Sequence, residues 1–302
     1  MNKKLTIKRI IIFCVIAFVP FWIIVPILNS VYGGMLYTVE EAAAAIYALG
    51  ALGMFIPAIA NLITRIATKE GFGNSYLALN IKGKVRYYVA AVIVKPMEAF
   101  LEMFLFCRVF LPEYSFRELF FGKDISPVIA AVFLQLAVSI ILFFPAFGEE
   151  WGWRGYLGPK LRELIGMPAS IIVGGIIWGL WHAPLTMAGH NFGIGYPLYP
   201  WAGIGLMCVM CIMMNAFLTL LTERTKSIYP ASFCHMINNN LQVEMLIAVF
   251  VSGAGQKALE TNPNYTNMSA FLLCLPFLAV IGIVSFVLLV RTKSTRTPGL
   301  PS

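Results

Sequence analysis

Residues 9–30 read RIIIFCVIAFVPFWIIVPILNS, an unbroken apolar stretch that follows Lys3, Lys4, Lys8 and Arg9. A helix needs about 20 residues to cross the hydrocarbon core of a bilayer, so this stretch predicts a transmembrane helix. It is too long for the apolar part of a cleaved signal peptide and lacks a small-x-small exit, so it reads as a retained anchor. Comparable windows fall at 44–67, 87–111, 126–147, 169–189, 201–221, 229–252 and 269–290. The expected fold is therefore all-α, a polytopic membrane bundle of about eight transmembrane helices. Composition agrees. The 302 residues are 59% hydrophobic and 12% charged, with a mean hydropathy of +0.81, whereas a soluble domain carries about twice that charged share. Little chain remains outside the spans, so 1–302 is read as a single membrane domain.

Lys and Arg positions orient such a bundle. With the N-terminus inside, one side collects the first four basic residues, then Arg65, Lys69, Lys82, Lys84 and Arg86. Arg154, Lys160, Arg162, Arg224, Lys226, Arg291, Lys293 and Arg296 fall on that same side. The other side receives only Arg117, Lys123 and Lys257, so both termini are expected in the cytoplasm. The net charge of +8 then reflects topology, with a secondary attraction to anionic lipid; it calls for no nucleic-acid partner. All six cysteines lie in apolar segments, including the Cys208–Cys211 pair. They read as small hydrophobes rather than as a disulfide framework or structural zinc cluster.

Polar side chains at membrane depth are costly and therefore mark functional sites. Glu149 and Glu150 open the run Glu-Glu-Trp-Gly-Trp-Arg at the end of the fourth apolar window. Glu150 and Arg154 stand at i and i+4, where they can pair. Glu149 is offset by about 100° around the helix and escapes that partner, which suits a general base. The plain structural alternative is an interfacial ion pair beside a solvated carboxylate. Trp178-Gly-Leu-Trp181-His182 places His182 one turn after Trp178, deep in the fifth window, where a hydrogen-bonded core histidine is the competing reading. His235 and Asn239 share one face of the seventh window and could donate to a developing oxyanion or act as interhelical polar glue. Each motif is ambiguous alone, but together, on three helices, they suggest hydrolysis within the membrane.

Other polar groups read more plainly. Residues 148–168 mix Arg154, Lys160, Arg162 and Glu163 with Trp151, Trp153, Tyr156 and leucines, as an interfacial amphipathic helix with tryptophans at headgroup level would. Lys95, Glu98 and Glu102 line one face of the third span as an expected buried ion-pair network, with substrate contact as the alternative. His190 is expected on a surface loop. Asp124 is the only aspartate, so no aspartyl dyad can be built. No Gly-x-Ser-Gly and no His-Glu-x-x-His zinc helix occurs.

The chain resembles the CAAX-protease and bacteriocin-processing (Abi) family of intramembrane glutamic endopeptidases, which includes the type II CAAX prenyl endopeptidases. The family pattern is Glu-Glu-x-x-x-Arg, then Phe-x-x-x-His, then His-x-x-x-Asn. Glu149, Glu150 and Arg154, then Trp178 and His182, then His235 and Asn239 match it, with Trp178 where Phe is usual. The resemblance covers about 145–240. It implies a polar intramembrane cavity reached from cytoplasm and lipid, and a CAAX-like or bacteriocin and peptide-maturation substrate, lipidated in the eukaryotic relatives. It also implies a bacterial plasma membrane location for a chain of this kind. Glu149 and His182 would activate water, His235 and Asn239 would hold the oxyanion, and Arg154 would orient Glu150. Zinc is admitted by the same resemblance, with Glu149, His182 and His235 as the three protein ligands such a site needs; the reading here leans to a metal-free mechanism. No other cofactor is implied.

Two further classes stay open: a non-catalytic immunity or scaffold protein of the same fold, and a transporter using Lys95, Glu98 and Glu102. A transporter would be expected to show inverted repeats between halves, and none is visible. One geometric demand is explicit. At about 1.5 Å per residue, His235 lies about 9 Å into its window and His182 about 20 Å into its own. They meet only if the fifth helix begins well outside the bilayer or tilts strongly.

Overall fold

The computed structural model describes residues 2–34, 36, 42–114, 140, 142–241 and 253–294. All regular structure among the described residues is helical. Helix α1 spans Lys3–Val31, α2 Ala43–Gly53, α3 Ile56–Ala67 and α4 Val85–Phe110. Helix α5 covers Leu142–Trp181 in two arms that meet at Gly166, and α6 covers Ala183–Met187. Then follow α7 Trp201–Thr225, α8 Tyr229–Asn240, α9 Gly253–Glu260 and α10 Asn267–Ser294. Among the described residues four helices, α1, α5, α7 and α10, are long and apolar enough to cross a membrane. Most of the 126–147 window, the end of the 229–252 window, and Arg117, Lys123, Asp124 and Arg296 lie outside the described residues.

The surface is that of a protein solvated by lipid. On α1, Phe13, Ala17, Phe21 and Val25 turn inward, while Ile11 is 57% and Val31 72% exposed. Rows of exposed aliphatic side chains of this extent are tolerated where hydrocarbon covers them. The chain is an integral membrane protein.

Two expectations fail locally. The 44–67 window is two helices, interrupted at Met54 and Phe55, with Pro57 in the first turn of α3. Proline is tolerated there because its missing N–H would have no helical partner. The first part of the 148–168 segment is buried in the bundle rather than interfacial. Within α5, Trp153–Leu157 form a π turn whose five side chains or glycine are all buried. An ordinary helix would turn some of five successive residues outward; the wider turn keeps Trp153, Arg154, Tyr156 and Leu157 inside. Asn61, fully buried on α3, donates to the Trp151 carbonyl at 2.9 Å where this turn begins. Further along, Gly166 sits at φ 77°, ψ 171°, and breaks α5 just before Pro168.

Helix α5 lies along α7, α7 along α10, α1 along α3 and α8 along α4. Gly175 and Gly179 allow the first of these contacts. A Cβ added at Gly175 would sit 2.4 Å from the Cα of Ile212, and one at Gly179 would sit 2.5 Å from that of Cys208. Small-xxx-small spacing is how membrane helices approach backbone to backbone. Asn215 adds a hydrogen bond from α7 to the Ile171 carbonyl at 2.8 Å. One end of the bundle is ionic. Glu70 receives Arg9 at 3.1 Å, Lys160 at 2.5 Å and the Tyr156 hydroxyl at 3.0 Å, and Glu223 pairs with Arg162 and Lys226.

Candidate active site

Glu149 and Glu150 sit side by side on α5, 2% and 0% exposed, yet their surroundings differ. Oε2 of Glu149 accepts two indole N–H bonds, from Trp153 at 3.0 Å and from Trp178 at 2.8 Å. No ion pair involves it among the described residues. Oε1 of Glu150 accepts from Arg154 Nη1 at 2.9 Å and from His235 Nδ1 at 2.8 Å. The expected i,i+4 pair of Glu150 and Arg154 is present, and Glu150 also carries a histidine from another helix.

Trp178 stands at the centre. The Arg154 guanidinium lies over its ring at 4.0 Å from the centroid, a favourable cation–π distance. The His235 ring meets it edge-on at 5.5 Å and the His182 ring at 5.8 Å. The two imidazoles that had to converge therefore flank one indole. Helix α8 begins inside the bundle. Ser227 and Ile228, which lead into it, are fully buried. The α3–α4 connection covers them: Ile228 N–H donates to the Tyr76 carbonyl at 3.0 Å, and Lys84 reaches the Thr225 carbonyl at 2.9 Å. Counting residues from the start of α8 thus understates how deep His235 lies.

Hydrogen-bond partners also set the histidine tautomers. His182 Nδ1 lies 2.9 Å from the Trp178 carbonyl, which can only accept, so Nδ1 carries the proton and neutral Nε2 presents a lone pair. His235 Nδ1 donates to Glu150 in the same way, the arrangement by which a carboxylate orients a catalytic imidazole. Asn239 follows His235 by one turn, half-buried, with its Oδ1 accepting from Asn238 at 3.3 Å. Arg154 also lines a cavity of about 20 Å³ with Ser170, Asn215 and Thr222, enough for one water.

The zinc set does not assemble. Among the described residues no three His, Cys, Asp or Glu side chains are grouped so as to hold a metal ion. As placed, Glu149, His182 and His235 do not fit a three-ligand site.

Lys95 and Glu98 form the expected buried ion pair, with Glu102 half-buried further along α4. His190 is half-buried rather than on an open loop, because its backbone N–H folds back to the Leu185 carbonyl at 2.9 Å. Sequence reasoning missed Trp153, which was placed among the headgroups. Its signal was the i,i+4 spacing from Glu149, the spacing already used to pair Glu150 with Arg154.

Residues 97–241, which contain Glu149, Glu150, Arg154, Trp178, His182, His235 and Asn239, match the family described as type II CAAX prenyl endopeptidase Rce1-like. Over that stretch the chain is similar to the CAAX protease family. A protein named CAAX prenyl protease 2 from Methanococcus maripaludis is 30% identical over 139 residues, covering 45% of this chain and 49% of that protein. The chain thus aligns with about half the length of this curated relative. The family match begins within α4 and ends just after α8, so it takes in the three helical segments that bring Glu149, His182 and His235 together.

Proposed function

We propose that the chain is a membrane endopeptidase that hydrolyses a peptide bond with water activated by Glu149. The observation that carries this reading is the contrast between two adjacent buried carboxylates. Glu150 is bound to a guanidinium and an imidazole, whereas Glu149 meets only neutral indole donors. A carboxylate without a cationic partner keeps the proton affinity that a general base needs.

In this mechanism Glu149 removes a proton from water while the Nε2 lone pair of His182 holds the second hydrogen. The water oxygen bonds to the scissile carbonyl carbon, whose oxygen becomes the oxyanion. His235, held at Nδ1 by Glu150, and the Asn239 amide are the groups that face it. Donors aimed at the oxyanion are worth about 10²–10³ in rate each. The proton on Glu149 passes to the leaving nitrogen as the C–N bond breaks. Arg154 holds the Glu150 carboxylate in place.

The substrate class is a peptide tail near the membrane face, prenylated if the activity in the relative's name extends to this chain. The ionic end of the bundle, with Arg9, Lys160 and Arg162, would face the cytoplasm by the charge rule for membrane proteins. Mass spectrometry of peptides from cells expressing wild type or Glu149→Ala tests the reading. A peptide that loses its C-terminal residues only with wild type is expected. Equal processing by the variant would leave a non-catalytic member of the same fold.

A further inference from the structure

Two tryptophans converge on one carboxylate oxygen, and one of them also touches the partner of the other carboxylate. We propose that Trp153 and Trp178 are paired positioning residues that clamp Oε2 of Glu149, and that Trp178 sets Glu149 and the Glu150–Arg154–His235 chain in register. The inference rests on the peptidase reading for its kinetic consequence, but not for the clamp itself.

The geometry gives each part of the indole a separate duty. The Trp178 N–H edge donates to Glu149 at 2.8 Å, while its ring face lies 4.0 Å under the Arg154 guanidinium. Arg154 holds Glu150, and Glu150 holds His235. One rigid side chain therefore spans the general base and the histidine expected at the oxyanion. Trp153, one turn after Glu149 on the same helix, supplies the second N–H at 3.0 Å. Its ring is locked by Trp181 at 5.8 Å and Phe13 at 5.5 Å. Two donors from fixed rings leave the carboxylate no rotation about its last bond. Oε1 is then the oxygen left for the water. Neutral donors hold the group without adding the positive charge that would blunt a base.

Phenylalanine separates these duties, because Trp178→Phe keeps an aromatic face for Arg154 and deletes only the N–H. With purified protein in lipid nanodiscs and a cleavable peptide, Trp178→Phe should lower kcat by about tenfold to a hundredfold, the scale of misplaced catalytic groups. KM should stay within about twofold and melting should stay close to wild type. Indole ¹⁵N–¹H spectra supply a readout that needs no activity. The six tryptophans give six resonances, and Trp153→Phe and Trp178→Phe each identify one. In Glu149→Gln both identified resonances should move upfield together, as a neutral acceptor replaces a charged one. A wild-type kcat in Trp178→Phe, or indole resonances that ignore Glu149→Gln, would overturn the proposal. Should wild type cleave no peptide, the peptidase reading falls while the spectra still decide the clamp.

Discussion

Glu149 and Glu150 are neighbours of equal burial, and replacing each by glutamine should give opposite outcomes. Among the described residues all hydrogen bonds of the Glu150 carboxylate run through Oε1, and Oε2 has no partner there. Glu150→Gln removes the charge that faces Arg154, a guanidinium only 3% exposed. Breaking a buried ion pair from one side costs about 3–5 kcal/mol, because the other charge is stranded without water. Glu149→Gln keeps an acceptor for both indoles and strands no cation, so its cost should stay below about 1 kcal/mol, the scale of one hydrogen bond. Thermal unfolding in detergent, followed by aggregation or by tryptophan fluorescence, reads the difference. Glu149→Gln should melt like wild type and be inactive; Glu150→Gln should melt far lower. A second arm isolates the pair. Glu150→Gln with Arg154→Met removes both charges, and the double variant should be more stable than the two single losses sum to. Coupling of about 1–3 kcal/mol is expected for bonded residues. If Glu150→Gln melts like Glu149→Gln, or the double variant is additive, the brace is not what holds this part of the bundle together.

Other consequences follow from the packing. Gly175→Leu places side-chain atoms where the Ile212 backbone lies, so α5 and α7 must separate at a cost of about 1–3 kcal/mol; a lower melting temperature with intact expression of Gly205→Leu, whose site is open, checks it. Glu70 lies outside the spans. Burial alone would raise its pKa, but the hydrogen bond and charge of Lys160, the Tyr156 hydroxyl and Arg9 outweigh that and hold it below its ordinary value of 4.5. A carboxyl depressed on folding stabilises above its unfolded pKa and loses that contribution as pH falls through the folded value. Wild type should therefore lose stability below about pH 4.5 more steeply than Glu70→Gln, and parallel melting curves from about pH 6 to about pH 3 would contradict this assignment.

Much of this protein could be read without coordinates. Helix and membrane class follow from runs such as residues 9–30, because a backbone in hydrocarbon must satisfy its own hydrogen bonds. The Glu150–Arg154 pair was equally legible, since helical geometry alone makes i and i+4 neighbours. The same rule reaches Trp153 from Glu149, though the indole read first as a headgroup anchor. What no helical period reveals is the partner of a side chain on another helix or beyond a helix break. Glu150 and His235 are 85 positions apart, and Trp178 reaches Glu149 across 29. Those contacts exist because the π turn rotates Trp153 and Arg154 inward, Gly175 and Gly179 let two backbones close up, and α8 starts beneath a covering loop. Local spacing determined which residues could act; close packing between distant helices decided which carboxylate is braced by an arginine and a histidine and which meets indole donors.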